Sequence, residues 1–208
     1  MADNVTLPGA GATIATDDVD LGGGAAQVQY VKLADGTANG TDVIPGTAAR
    51  GLSVDPRPDM VRVTVAPTVS TTPAYASKDA VGGWMEFANV VRASGGWTVL
   101  EAVQVIDRDM DAADMDLTFF DRDISGTSPV TDNAVFDPVD ADLDYMVGIV
   151  PIFYASFGVF NDNATAHINT NLVMKANGTS LWAVLVSRDT PTYTATTDLK
   201  VVCTFRRL

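Results

Sequence analysis

The chain has 208 residues, a mass of 21.9 kDa and 47% hydrophobic residues. This is the size of one ordinary domain with enough apolar side chains for a core, so a large multidomain enzyme and wholesale disorder are both excluded. Acids outnumber bases by 26 to 13, for a net charge of −13, and 24 of the acids are Asp. Such a surface repels nucleic acid and anionic membranes, so we expect neither as a partner. Asp, together with 23 Thr, 17 Gly and 10 Pro, is typical of strands joined by loops.

Residues 1–58 are rich in glycine turns and poor in large apolar side chains. The pattern predicts one extended element there, Gln27–Leu33. A segment of this composition cannot bury enough surface to fold alone, so it is either a flexible leader or an extended arm that gains order on a partner. We favour the arm, because a linker has no need of large apolar residues. The candidate binding residues of the arm are Val28, Tyr30, Val31, Leu33, Ile44 and Leu52.

From Asp59 onward the hydrophobic pattern changes to a period of two, with Gly, Pro, Asn and Asp between the apolar runs. This alternation predicts β-strands. Helices are minor: Asp137 and Pro138 predict a short turn through Asp144, and residues 73–80 predict another. Residues 59–208 are therefore expected to form an all-β domain, a two-sheet antiparallel sandwich of jelly-roll type. The eight predicted strands are 61–65, 84–91, 97–106, 117–120, 145–153, 166–176, 181–186 and 199–206.

Residues 145–153 form a nearly continuous apolar run. A run of this kind is typical of a strand that is buried on both faces or that lies at a subunit contact. The apolar stretch continues to residue 160, and as a whole it suits either the core or an oligomer interface. The candidate interface residues are Ile149, Ile152, Phe153, Tyr154, Phe157 and Phe160.

Nothing in the sequence predicts an active site. The single histidine, His167, begins a predicted strand, and no Gly-x-Ser-x-Gly elbow supplies a nucleophile for it. The single cysteine, Cys203, lies on the inward side of the last predicted strand, where it acts as a small hydrophobe. We therefore expect a protein that is not an enzyme and that needs no cofactor.

Acidic residues cluster in the sequence between two predicted strands. Asp107, Asp109 and Asp111 stand at alternate positions, as the first ligands of a calcium loop do. However, Ala112 and Thr118 stand where an EF-hand loop needs Gly and Glu. Solvated loops are the favoured interpretation, so no metal site is expected, and these three residues stay a weak candidate for a divalent ion.

Several phrases resemble virion structural proteins of tailed bacteriophages. They are Gln-Tyr-Val-Lys-Leu-Ala-Asp-Gly-Thr at 29–37, Ile-Pro-Gly at 44–46 and Ala-Arg-Gly-Leu-Ser-Val-Asp-Pro-Arg at 49–57. Phrases at 74–83 and 190–199 are similar to the same group. The resemblance implies a particle component, above all a head decoration (cement) protein made in the host cytoplasm and placed on the capsid surface. Such proteins commonly pair a small β domain, often trimeric, with an arm laid across the shell, so the implied partners are the major capsid protein and two further copies of the chain.

A second hypothesis is a host- or glycan-binding module of a tail or fibre. It needs exposed Trp84, Trp97 and Trp182 as stacking platforms for sugar rings. All three lie within apolar runs, so the pattern favours core positions and thereby the decoration protein.

Overall fold

The computed structural model describes the strand backbones at residues 3–6, 13–20 and 25–29, and all of residues 59–208. The chain forms two compact units, Met1–Pro56 and Arg57–Leu208. In the first unit, β1 (Asp3–Thr6), β2 (Thr13–Asp20) and β3 (Ala25–Gln29) form an antiparallel sheet in that order. The sequence predicted one extended element where the structure has three strands. Hydrophobic periodicity does not reveal β2, because three of its eight residues are Asp.

The predicted arm residues fall mostly beyond this sheet. Val28 lies in β3, where it pairs with Asp17 of β2. The other five lie outside the described residues: Tyr30, Val31, Leu33, Ile44 and Leu52. Their role in binding stays a prediction.

Residues 59–208 form a two-sheet sandwich, which confirms the predicted all-β fold. One sheet has five strands in the order β4-β12-β6-β10-β9, and the other has four in the order β5-β11-β7-β8. The strands are β4 (Asp59–Val65), β5 (Ala80–Phe87), β6 (Trp97–Asp107), β7 (Met115–Phe120), β8 (Met146–Ile152), β9 (Phe157–Phe160), β10 (Asn163–Lys175), β11 (Leu181–Ser187) and β12 (Leu199–Arg207).

The pairing of early strands with late ones gives the sandwich its topology. β4 pairs with β12, β5 with β11, β6 with β10, and β7 with β8, all antiparallel. These are the pairs of one long hairpin that has been rolled up, which is the jelly-roll arrangement. β9 is added to this scheme as a short strand at the edge of the five-stranded sheet.

The core lies between the two sheets. Phe87, Phe119 and Phe205 pack against one another there, with ring centroids 5.6 to 6.5 Å apart. Cys203 is fully buried beside them, and burial raises the pKa of its thiol. Cys203 is therefore a core hydrophobe and not a reactive thiolate, as its position in the sequence predicts.

The predicted helices differ from the observed ones. The turn expected from Asp137 is reduced to α1 (Asp140–Leu143), which follows Val139 and has no side-chain cap. The helix predicted over residues 73–80 is wrong, because Lys78 has a left-handed φ of 81° and Ala80 already begins β5. No helix among the described residues is long and apolar enough to cross a membrane.

A second apolar layer covers the outer face of the four-stranded sheet. Val184 and Val186 of β11 are buried there against Val130 and Phe136, which lie in the segment between β7 and α1. The buried Asp142 anchors this segment, since its carboxylate accepts hydrogen bonds from Thr127 Oγ1 at 2.5 Å and Ser128 Oγ at 2.6 Å. The loop is thus a fixed part of the fold.

Candidate functional site

The strand β8 lies at an edge of the sandwich. It is the last strand of the four-stranded sheet and pairs with β7. Val150 and Ile152 point into the core, whereas Ile149 and Pro151 are exposed. Proline has no N–H to give to a sheet, so Pro151 fits an edge strand and not a central one. Of the two interpretations of residues 145–153, burial on both faces is therefore wrong.

The chain then crosses the open side of the sandwich from one sheet to the other. After β8 it makes a single 3₁₀ turn, Tyr154–Ser156, and enters β9 at the edge of the five-stranded sheet. The Tyr154 N–H donates to Asp114 Oδ1 at 2.5 Å, and Phe157 packs against the core. These contacts fix the crossing segment to the domain.

Large apolar side chains protrude from this crossing segment. Phe153 is 56% exposed and Phe160 is 63% exposed, values unusual for phenylalanine. The exposed large apolar residues from β8 to β9 are Ile149, Phe153, Tyr154, Val159 and Phe160, and we call them the edge patch. A cluster of this kind on a folded domain marks an interaction surface.

A groove of about 430 Å³ lies beside the edge patch, between β8 and β10. It is lined by Ile149, Pro151 and Phe153 on one side and by Ile168 and Leu172 on the other. A Cβ at Gly148 would lie 2.4 Å from Leu172 Cδ2, so a larger residue there would displace the Leu172 side chain that lines the groove. Ser156, Asn169, Thr170 and Asn171 also line it, so the groove adds a concave surface of mixed apolar and polar side chains beside the edge patch.

The edge patch lies in a part of the chain without charged residues. Residues 145–161 contain no Asp, Glu, Lys or Arg, although 19% of the whole chain is charged. A partner that covers the side chains of this stretch removes apolar area from water, and the charge that lies beside them is Asp114, which already accepts a hydrogen bond from the Tyr154 N–H. The centres of protein interfaces have this composition, enriched in aromatic residues and depleted of charge.

Four of the six predicted interface residues lie in the edge patch: Ile149, Phe153, Tyr154 and Phe160. Ile152 does not, because strand alternation turns it into the core, where it is fully buried. Phe157 is half-buried against the core. Val159 was missed: alternation puts it on the same side of β9 as the inward Phe157, yet it is exposed on this edge strand.

The carboxylates of the acidic loop after β6 accept hydrogen bonds that fix the loop and its neighbour. The fully buried Asp107 accepts hydrogen bonds from the N–H groups of Asp109 and Ala112 at 2.9 and 2.8 Å. Burial raises the pKa of Asp107 despite these bonds. Asp109 and Asp111 accept from the backbone N–H groups of Thr194 and Thr192, both at 2.7 Å. Within residues 59–208 no three acidic, His or Cys side chains are placed to hold an ion, so this part of the chain gives the weak divalent candidate no support.

The tryptophans are not where the sequence placed them. Trp97 is 51% exposed at the start of β6, with the Lys175 ammonium 5.9 Å from its ring centroid. Trp84 and Trp182 stack at 6.2 Å, half-buried on the outer face of the four-stranded sheet. The prediction of core positions is therefore wrong for these three residues. In the four-stranded sheet, whose outer face is covered, an apolar run alternates between two apolar layers, and Trp84 and Trp182 lie in the outer one. Trp97 is exposed at the start of β6 in the other sheet.

No protein-family model matches the chain, and no curated protein matches it. Among solved structures, the chain is similar to one titled Desmodium yellow mottle tymovirus, at 9% identity and a TM-score of 0.23. The match covers 86% of this chain and 94% of that chain. At this TM-score the similarity defines no family. The class that the described structure defines is a jelly-roll sandwich with exposed apolar side chains at one edge.

Proposed function

We propose that the chain is a structural component of a tailed-phage virion, a capsid decoration (cement) protein on the outer shell. Its β domain forms a homotrimer through the edge patch, and residues 1–58 bind the major capsid protein and bridge capsomers. Because such a protein binds the assembled shell and not its separated subunits, binding stabilises the shell by mass action.

The edge patch is the observation that carries this proposal. The exposed aromatic side chains at this edge are unfavourable in water, and a second subunit that covers them removes this cost. The crossing segment is fixed by Asp114 and by Phe157, so little conformational entropy is lost when a partner covers it. These properties favour a permanent assembly contact.

The fold alone is compatible with several functions. Jelly rolls occur in viral capsid domains, in lectins and in cupins, and a fold does not imply a function. The phrases at 29–37 and 49–57, which resemble tailed-phage virion proteins, favour the particle component.

Particles that lack the chain provide the test. Purified chain is added to heads from a phage in which its gene is deleted, and bound protein is measured by co-sedimentation. We expect saturable binding and a higher temperature of head rupture. A chain lacking residues 1–58, shown by circular dichroism to keep its β signal, should not bind. Absence of binding by the full chain would refute the proposal, and full binding by the shortened chain would refute the role of the arm.

Exposure of Trp97 favours a second candidate, a glycan-binding module of a tail or fibre. An exposed indole beside a lysine is a surface on which a sugar ring can stack. A glycan array tests this function. Saturable binding would support it if Trp97→Ala abolishes the binding and Met60→Ala, on the same sheet face, does not. No binding to any glycan would leave the decoration protein as the account.

A further inference from the structure

The outer face of the five-stranded sheet carries an unusual charge for this protein. Strand alternation turns core residues inward, and the residues between them outward, on β4, β12, β6 and β10. The outward basic residues are Arg62, His167, Lys175, Lys200 and Arg206, and we call this surface the basic face. Among the described residues of these strands, Glu101 is the acid on this face, and it accepts a hydrogen bond from Arg206 Nε at 2.5 Å. A chain of net charge −13 thus has a sheet face on which bases predominate.

The centre of the basic face is a shallow depression of about 240 Å³. Neighbouring strands bring its six lining residues together, because Arg62 pairs with Thr204, which pairs with Ala102, and Val202 pairs with Gln104, which pairs with His167. Ala102 and Val202 are its apolar residues, and Arg62 and His167 are exposed at its sides. Arg62 Nη2 donates to Gln104 Oε1 at 3.1 Å, which orients the guanidinium. The depression suits an apolar tip that is flanked by carboxylates.

The acidic loop after β6 has such a tip. Met110 is 44% exposed, with a left-handed φ of 62°, and stands between Asp109 and Asp111. The backbone N–H groups of Thr194 and Thr192 hold the two flanking carboxylates in place. The tip is therefore preorganised, and a partner does not have to order it.

Electrostatics favours the approach of a positively charged side chain of a partner to this tip. Burial, followed by the charges of Asp107, Asp109 and Asp189, raises the pKa of Asp111. Crowded carboxylates of this kind are stabilised when a cation approaches them. The tip and the basic face thus complement each other in charge, and the apolar Met110 matches the apolar residues of the depression, Ala102 and Val202.

We propose that the basic face of one copy binds the acidic loop tip, Asp109–Asp111, of a second copy in a head-to-tail contact. Met110 enters the depression, and the carboxylates of the tip approach Arg62 and His167. The tip and the face are different surfaces, so each copy can bind one neighbour through each, and the contact joins copies into a ring or a row. A long polyanion is disfavoured, because it has no apolar tip to enter the depression that Ala102 and Val202 line.

This contact goes beyond the proposed function and does not depend on it. It is electrostatic, so salt weakens it, whereas salt does not weaken a contact through the apolar edge patch. The two kinds of self-association can therefore be separated by ionic strength alone.

Sedimentation velocity of the full chain at about 10 mM and about 1 M salt tests the proposal, since the Debye length falls from about 30 Å to about 3 Å over this range. We expect larger associated species at low salt than at high salt. Arg62→Glu on the face and Met110→Lys on the tip should each weaken this added association about tenfold or more, the loss of roughly one well-placed charge pair. Lys78 is exposed and lies off the basic face. Lys78→Glu makes the same charge change as Arg62→Glu and should not affect association.

Mixing the two variants gives the decisive result. In a one-to-one mixture, the reversed face of one variant meets the reversed tip of the other, and the unchanged surfaces also match, so association should return. Recovery on mixing would also show that both variants are folded. The proposal would be overturned if the wild type shows no added association at low salt, if either variant associates as strongly as the wild type, or if mixing the variants does not restore association. A complex with duplex DNA that Arg62→Glu abolishes, in place of self-association, would overturn it as well.

Discussion

Replacement of Phe160 by serine should abolish oligomer formation and leave the folded domain intact. Phe160 lies on β9 in the edge patch and is 63% exposed. A Phe side chain presents about 200 Å², so about 125 Å² remains for a partner to cover. At about 25 cal/mol per Å², this area is worth about 3 kcal/mol in each copy. The dissociation constant should therefore rise about a hundredfold for each Phe160 that is buried at the contact.

The assay is light scattering coupled to size-exclusion chromatography at about 1 M salt, where charge contacts are screened. The stability of the separated domain, measured by urea unfolding, should change by no more than about 0.5 kcal/mol, as for other exposed residues. Val135→Ser is the matched control, because Val135 is 62% exposed but lies on the loop between β7 and α1. Ile152→Ala gives the opposite result, a loss of about 2 to 5 kcal/mol of stability through a core cavity. A chain that stays monomeric, or a Phe160→Ser variant that associates like the wild type, would refute the edge patch as an oligomer contact.

Three further predictions concern the fold that presents these surfaces. Gly82→Ala should destabilise the domain by about 2 to 4 kcal/mol in urea unfolding, because φ is +74° and the new Cβ would lie 2.2 Å from Pro67 Cβ. Asp142→Ala should cost about 2 to 3 kcal/mol and shift tryptophan fluorescence, because the buried carboxylate anchors the loop that covers the outer face of the four-stranded sheet. The pKa of Asp59 is lowered below 3.8, first by its hydrogen bond from Arg207. The stabilising contribution of Asp59 is therefore present above pH 3.8 and is lost as the pH falls through the lowered pKa. Arg207→Gln removes this hydrogen bond and should move acid unfolding to higher pH.

The first two of these predictions have matched control variants. Gly126→Ala meets no atom within 4 Å and should be neutral. Asp144→Ala removes an exposed carboxylate next to α1, and the tryptophan fluorescence should stay unchanged. Unfolding at neutral pH that is as sensitive to Gly126→Ala as to Gly82→Ala would contradict the steric argument, and an unchanged acid midpoint in Arg207→Gln would contradict the linkage to Asp59.

Hydrophobic alternation was sufficient to predict the sandwich, because each sheet has one face on a shared core. It misplaced β5, which was predicted over 84–91 and lies at Ala80–Phe87. Gly82 and Gly83 look like a turn in the sequence, but both lie within the strand at a φ of +74°, which glycine adopts without strain. It also missed β9, since the 3₁₀ turn before it is only three residues long and the whole stretch from 145 to 160 looks like one apolar run.

The edge patch could be predicted only in part. The sequence identified the apolar stretch but not its exposed members, because an edge strand and a central strand can share the same composition. Ile152 and Phe153 are neighbours with opposite exposure, and only the pairing of β8 with β7 decides which of them faces water. The basic face was not predicted at all: Arg62, Lys200 and His167 are far apart in sequence, and the order of strands β4, β12, β6 and β10 brings them together.

Labelling of intact virions most directly tests whether the chain is a capsid decoration protein. Gold-labelled antibodies raised against the full chain are applied to particles purified from the phage that encodes it, and the label is located by electron microscopy. The account predicts label over the whole surface of the head, and none on heads from the gene-deleted phage. Label confined to the tail or fibres, or no label on particles that are shown to be intact, would contradict it.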